Sequence, residues 1–200
     1  ENNHSVFEAF AGECKRLKLF NWLTAPIIEN DIIQNIYPMH PLSTYALLQL
    51  AREVGAENRS LFKFFSPKIN TDNGKWEDVE DFSYPWYISK TPITKDGRLN
   101  LYTTDLLYEY FKDGIKTDNK KLSDPVKRSI KNYHESLRAF NKYFAQDSDE
   151  KLFKWEDIDE LFNQILKAIL INDIISNEVT PIPTTNENLF FALNVTSQQE

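Results

Sequence analysis

Nucleotide hydrolysis requires a glycine-rich loop whose amides cradle phosphates and a lysine that reaches them. The five glycines, Gly12, Gly55, Gly74, Gly97 and Gly114, never fall into that spacing, and no apolar strand ends in Asp-Glu. No catalysis is therefore expected of this chain alone. His4, His40, His134 and the single cysteine, Cys14, are scattered without metal-ligand spacing. Asp78, Glu80, Asp81 and the run Asp147 to Glu150 are carboxylates in loop-like segments. Acid–base chemistry would require buried environments that separate their pKa values, and the last run lacks the twelve-residue pattern of a calcium loop. Lys127, Arg128, Lys131 and Arg138 load one helical segment with positive charge after Lys120-Lys121. This is a possible contact face for nucleic acid, or a solvated face opposite the stripe of Tyr133 and Phe140. His40 sits between two prolines in Tyr37-Pro38-Met39-His40-Pro41-Leu42. It either orients a phosphate-sensing residue or forms a turn.

Composition bounds what these residues can be part of. Two hundred residues suffice for one large domain or two small ones. Hydrophobic residues at 41% and charged ones at 26% describe a globular chain, so wholesale disorder is not expected. The net charge of −7 disfavours a dedicated duplex binder, although a local basic patch remains compatible with it. A lone cysteine rules out an internal disulfide and points to a cytoplasmic setting. No run of eighteen apolar residues predicts a membrane span. The abrupt start at Glu1-Asn2-Asn3 reads as an internal piece of a longer chain.

The elements expected to position these residues are helices. Ser5, with Glu8 in capping-box spacing, predicts the start of a first helix. Pro26 and Asn30-Asp31 read as punctuation. Proline biases its predecessor away from helix, which makes Tyr37 and His40 extended or turn residues. Pro41 then opens a helix carrying Leu47, Leu48, Leu50, Ala51 and Val54 to a stop at Gly55. Asn58 caps a short helix with Leu61, Phe62, Phe64 and Phe65. Residues 68–100 read as an irregular insertion with a short hairpin, in which Tyr84, Trp86 and Tyr87 stack on a base, line a partner groove or cover a core. Thr104 or Asp105 caps a helix that ends near Gly114. Ser123-Asp124-Pro125 starts another, running to about Phe144. A helix from Trp155 to Ile175 and one capped by Asn186 complete a mainly α chain.

Two segments together carry a specific pattern: Tyr37-Pro38-Met39-His40-Pro41-Leu42, and Glu57-Asn58-Arg59-Ser60-Leu61-Phe62 after the intervening helix. The pair resembles a "YPxHP…NER-LF-FL" segment of large bacterial AAA+-type P-loop ATPases, including those of phage-defence (BREX-like) loci. Tyr102-Thr103-Thr104-Asp105-Leu106-Leu107-Tyr108-Glu109-Tyr110-Phe111 is similar to their "DLLYDYF" helix. Leu166 to Ile171 and Thr184 to Leu189 resemble later helices. The likeness is patchy, from about Ile36 to Leu193, and leaves the insertion unmatched.

In such proteins this region follows the nucleotide-binding core. The resemblance implies a multi-helix lid-like domain at residues 1–145, then a partial winged-helix-like segment at 146–200. It implies ATP and Mg for the full-length protein and no cofactor in this chain. The implied partners are the missing P-loop core and DNA or other defence-complex proteins. Arg59 becomes a nucleotide-sensing candidate whose guanidinium approaches the γ-phosphate. The alternative is a helix-start arginine paired with Glu57 or Glu53, and Asn58 departs from the family's preceding Glu. The rival from another class is a stand-alone acidic helical protein-interaction module. An independent hydrolase or nuclease has little support, because no acids and histidines converge in the sequence.

Overall fold

The computed structural model describes residues 3–54, 59–66, 68–69, 76–77, 79–92, 94–95, 98–116, 119–146, 155–176 and 179–195. The fold is mainly α. Helix α1 (Asn3–Arg16) begins ahead of Ser5, which therefore lies inside the helix instead of capping it. Its end is a Schellman arrangement: Leu19 N–H donates to the Cys14 carbonyl at 2.8 Å and Lys18 N–H to that of Lys15 at 3.0 Å. Lys18 occupies the left-handed position, φ 57°, where glycine or asparagine is usual. Without that residue type the stop carries no sequence signal. The reversal delivers Leu19 and Phe20 to the interior, where both are buried.

Pro26 and Asn30-Asp31 do not interrupt the chain. Helix α2 (Ala25–Ile27) runs through a π turn at Ile28–Ile33 into α3 (Gln34–Ile36). Pro26 lies in the first turn, where its missing N–H leaves nothing unpaired. The asparagines serve the backbone instead of ending it. Asn30 Nδ2 donates to the Pro26 carbonyl at 2.9 Å, and Asn35 Nδ2 to those of Asn30 and Asp31 at 3.1 Å each. Ile28 and Ile33 anchor the segment to the core.

Tyr37 and His40 have extended ψ values, and Pro41 opens α4 (Pro41–Glu53), as the proline spacing predicts. Gly55 and Asn58 lie outside the described residues. Helix α5 (Arg59–Phe65) follows. Within the insertion, β1 (Lys68–Ile69) pairs antiparallel with β2 (Trp76–Glu77), and β3 (Thr94–Lys95) with β4 (Arg98–Leu99). Between them stands α6 (Tyr84–Lys90), which weak alternation did not predict. Its start is nonetheless well specified: Pro85 is in the first turn, and Ser83 Oγ accepts from Trp86 N–H at 3.4 Å.

The cap of α7 (Thr104–Phe111) is Thr103, one residue before the expected Thr104 and two before Asp105. Helix α8 (Asp124–Gln146) starts at the Ser123-Asp124-Pro125 signal, and α9 (Trp155–Ile175) has the expected span. Helix α10 (Asn186–Ala192) is capped by Thr185, whose Oγ1 accepts from Asn188 N–H at 3.3 Å, and not by Asn186. It ends at Asn194, φ 53°, in a second Schellman arrangement.

Helices α4, α7 and α9 pack on one another, and α8 lies along α9. Leu42, Ala46, Leu47 and Leu50 of α4 meet Leu107 of α7 and Ala168, Ile171 and Ile175 of α9 in one buried cluster. The expected boundary at 145/146 falls in the last turn of α8, and the buried cluster draws on residues from both sides of it. Phe140 stacks on Phe162 with ring centroids 3.7 Å apart. Gly114 closes the turn after α7 against α4: a Cβ there would strike Cγ1 and the carbonyl of Val54. Gly114→Ala is expected to destabilise by about 1–3 kcal/mol, as overpacking does, and a denaturant midpoint no lower than wild type's would refute that contact.

Candidate functional site

The Tyr37–Leu42 segment is a buried joint. Tyr37 is half-buried, and Pro38, Met39, His40, Pro41 and Leu42 are buried. The Tyr37-Pro38 peptide is cis. The turn is stitched to the chain before α7 by a short parallel bridge. Tyr102 N–H donates to the Pro38 carbonyl at 2.7 Å, and His40 N–H to the Tyr102 carbonyl at 3.1 Å.

His40 caps α4. Its Nδ1 accepts from Leu42 N–H at 3.2 Å, which assigns the ring proton to Nε2. Its carbonyl accepts from Thr44 N–H at 2.9 Å. The imidazole stands edge-on to Phe10 and Phe191, at centroid distances of 5.4 and 4.5 Å. Complete burial lowers its pKa from 6.5 to about 3, so the ring is neutral. Nε2 has no hydrogen-bond partner among the described residues. In this geometry His40 shapes the start of α4.

Further buried polar groups line the same three-helix contact. Ser43 Oγ on α4, Thr104 Oγ1 on α7 and both side-chain atoms of Asn172 on α9 lack described partners. Asp105 is buried, which raises its carboxyl pKa, although the hydroxyl of Thr103 donates to it at 2.5 Å and Lys167 opposes the rise. Lys167 of α9 pairs with Glu109 of α7 at 2.5 Å. Burial pushes Glu109 up, but Lys167 and Lys112 outweigh it and hold the carboxyl below its ordinary value. This pair fastens α7 to α9.

Arg59 opens α5, and its side chain lies outside the described residues. Helix α5 is fixed by Phe64, which is fully buried against the rings of Tyr102 at 5.5 Å and Tyr110 at 5.0 Å. The Arg59 helix thus rests on the residue that bridges to the His40 turn. The insertion is tied to the same place. Tyr84 Oη donates to the Tyr37 carbonyl at 3.1 Å, and Tyr102 Oη to that of Phe82 at 2.5 Å. Tyr87 is buried on Tyr102, 5.2 Å between centroids, and covers core.

Lys127 is half-buried on α8, and Arg128, Lys131 and Arg138 are exposed, far from this joint in sequence and on another helix. Cys14 is buried, and burial, with Glu13 adding to it, pushes its thiol up to about 12, which leaves no reactive thiolate. No group of three or more His, Cys, Asp or Glu that could hold a metal occurs among the described residues. No described helix is long and apolar enough to cross a membrane. Tyr102, Phe10 and Phe191 are the residues that sequence reasoning missed around His40, since nothing local marks partners so distant in the chain. Comparison with protein-family models, curated proteins and solved structures finds no match.

Proposed function

We propose that this chain is the nucleotide-sensing lid and interaction region of a larger AAA+-like P-loop ATPase that acts in the cytoplasm, in a phage-defence setting. One observation carries the reading. The separate segments that resemble those ATPases lie around one joint: Tyr37–Leu42 bridges to Tyr102, α7 packs on α4 and α9, and α10, whose first turn resembles them, carries Phe191 beyond that stretch onto His40.

In this reading the phosphate cradle and Mg belong to the core, because no glycine of this chain has the required spacing. Arg59 is the residue offered to the nucleotide. A change at Arg59 passes through α5 to Phe64, Tyr102 and the His40 turn, a contiguous packed path. Helices α9 and α10 begin a winged-helix-like segment for DNA or protein partners. The test is the complete reading frame. A Walker A and a Walker B motif ahead of residue 1 support the proposal, and a frame without any P-loop sinks it.

The second reading is a helical protein-interaction module. Its support is an exposed apolar edge: Phe62 is 72% and Phe65 45% exposed on α5, and Ile88 is 41% exposed on α6, which packs against α5. A stable partner recovered by pull-down, with no nucleotide dependence, would favour it.

A further inference from the structure

The apolar residues of α8 that face the core are Val126, Ile130, Tyr133 and Leu137, with Phe140 stacked on α9. At about 100° per residue, these five positions fall within an arc of roughly 80°. Lys127, Lys131, Arg138 and Lys142 fall within another arc of roughly 60°, turned away from the first, and Arg128 flanks it. Arg128, Lys131, Arg138 and Lys142 are exposed, and Lys127 is half-buried at the edge nearest the core. From Lys127 to Lys142 the ridge runs about 22 Å at 1.5 Å per residue. The remaining residues on that side are Asp124, His134 and Glu135, so it carries no apolar side chain between residues 124 and 142.

We propose that this ridge of α8 binds the phosphodiester backbone of a nucleic acid. The spacing suits a polyanion: cations recur every four to seven residues along a straight rod, and a nucleic-acid strand presents a charge every ~3.4 Å of axis. A helix that docks on protein shows apolar anchors at helical spacing on the docking face, and this face has none. The acid beside the cations does not neutralise them. Glu135 Oε1 is 3.8 Å from Lys131 Nζ, with both side chains more than half exposed, a separation at which a solvated pair contributes little. Arg138 is oriented by its own helix, its Nε donating to the His134 carbonyl at 3.2 Å. The net charge of −7 means that attraction to phosphate must come from a local concentration of cations such as this one. Binding is sequence-independent, since backbone contacts carry no base information. The inference does not depend on membership of an ATPase.

The test is fluorescence anisotropy with the full chain and labelled 20-nucleotide single-stranded and duplex DNA of mixed sequence, from 50 to 200 mM NaCl. Four contacts predict log–log salt slopes of about −3 for single strands and about −4 for duplex. Lys131→Gln with Arg138→Gln should weaken binding at 50 mM at least tenfold and make the slope shallower by about 1.5 to 2. Glu135→Gln should tighten it several-fold. All three positions are exposed, so an unchanged far-UV circular dichroism spectrum is expected to accompany each variant. Absence of binding at 50 mM salt, or an isotherm that the double variant leaves unmoved, overturns the proposal. Polyglutamate of matched charge that binds more tightly than either DNA also overturns it, in favour of an acidic protein partner.

Discussion

Replacing His40 by asparagine should flatten the fall in stability between pH 7 and pH 5. In the folded chain His40 is neutral, its pKa lowered by burial from 6.5 to about 3. The unfolded chain takes up a proton near 6.5 that the folded chain refuses. Stability is therefore complete above that value and is lost as pH falls, by about 1.4 kcal/mol per unit, until the folded pKa is reached. This amounts to about 2 kcal/mol at pH 5 and about 5 kcal/mol below pH 3. Asparagine keeps an acceptor for Leu42 N–H, as a good N-cap does, and has nothing to titrate. The variant loses the ring between Phe10 and Phe191, so it starts lower at pH 7, by about 1–3 kcal/mol. Glu109, whose pKa is depressed from 4.5, contributes stability that is lost only as pH falls through still lower values. It does not enter the window. Urea unfolding at pH 7 and pH 5 measures the difference, and an unchanged pH dependence in the variant would mean that His40 is not buried and neutral.

Tyr102 should be the most sensitive large side chain outside the helices. It is fully buried, its ring meets Phe64 and Tyr87, and its hydroxyl donates to the Phe82 carbonyl. Phe82 holds φ 62°, a left-handed conformation unfavourable for a bulky residue, and the hydroxyl helps fix it there. Tyr102→Ala is expected to cost about 3–5 kcal/mol. Tyr102→Phe keeps the packing and leaves the carbonyl unpaired, for about 1–3 kcal/mol. A loss below about 1 kcal/mol in the alanine variant, read by denaturant unfolding, would show that the ring is not packed on Phe64 and Tyr87 as described.

Local chemistry made most of the fold legible. Proline fixed the entries to α4 and α8, and the apolar spacing marked α9 from Trp155 to Ile175 with the bounds that the structure has. Errors clustered where the backbone was directed by unusual residue types. Lys18 takes the position of a C-terminal glycine, and Asn30 and Asn35 support a π turn where Pro26 and Asn30-Asp31 suggest a break. Caps at Thr103 and Thr185 were displaced by one residue because neighbouring Thr, Asp and Asn all favour that role. The site was less legible than the fold. The motif around His40 was visible, but its partners Phe10, Tyr102 and Phe191 are brought in by tertiary packing, which leaves no local periodicity.

The most direct measurement is ATP turnover by the protein encoded by the complete gene, with Arg59 replaced by alanine and by lysine. If this chain senses the γ-phosphate through Arg59, Arg59→Ala lowers kcat by about 10²-fold or more, and lysine does not restore it because a point charge cannot replace the planar fork. ATP affinity then stays within a few-fold of wild type. Turnover within twofold of wild type in the alanine variant would contradict the nucleotide-sensing role.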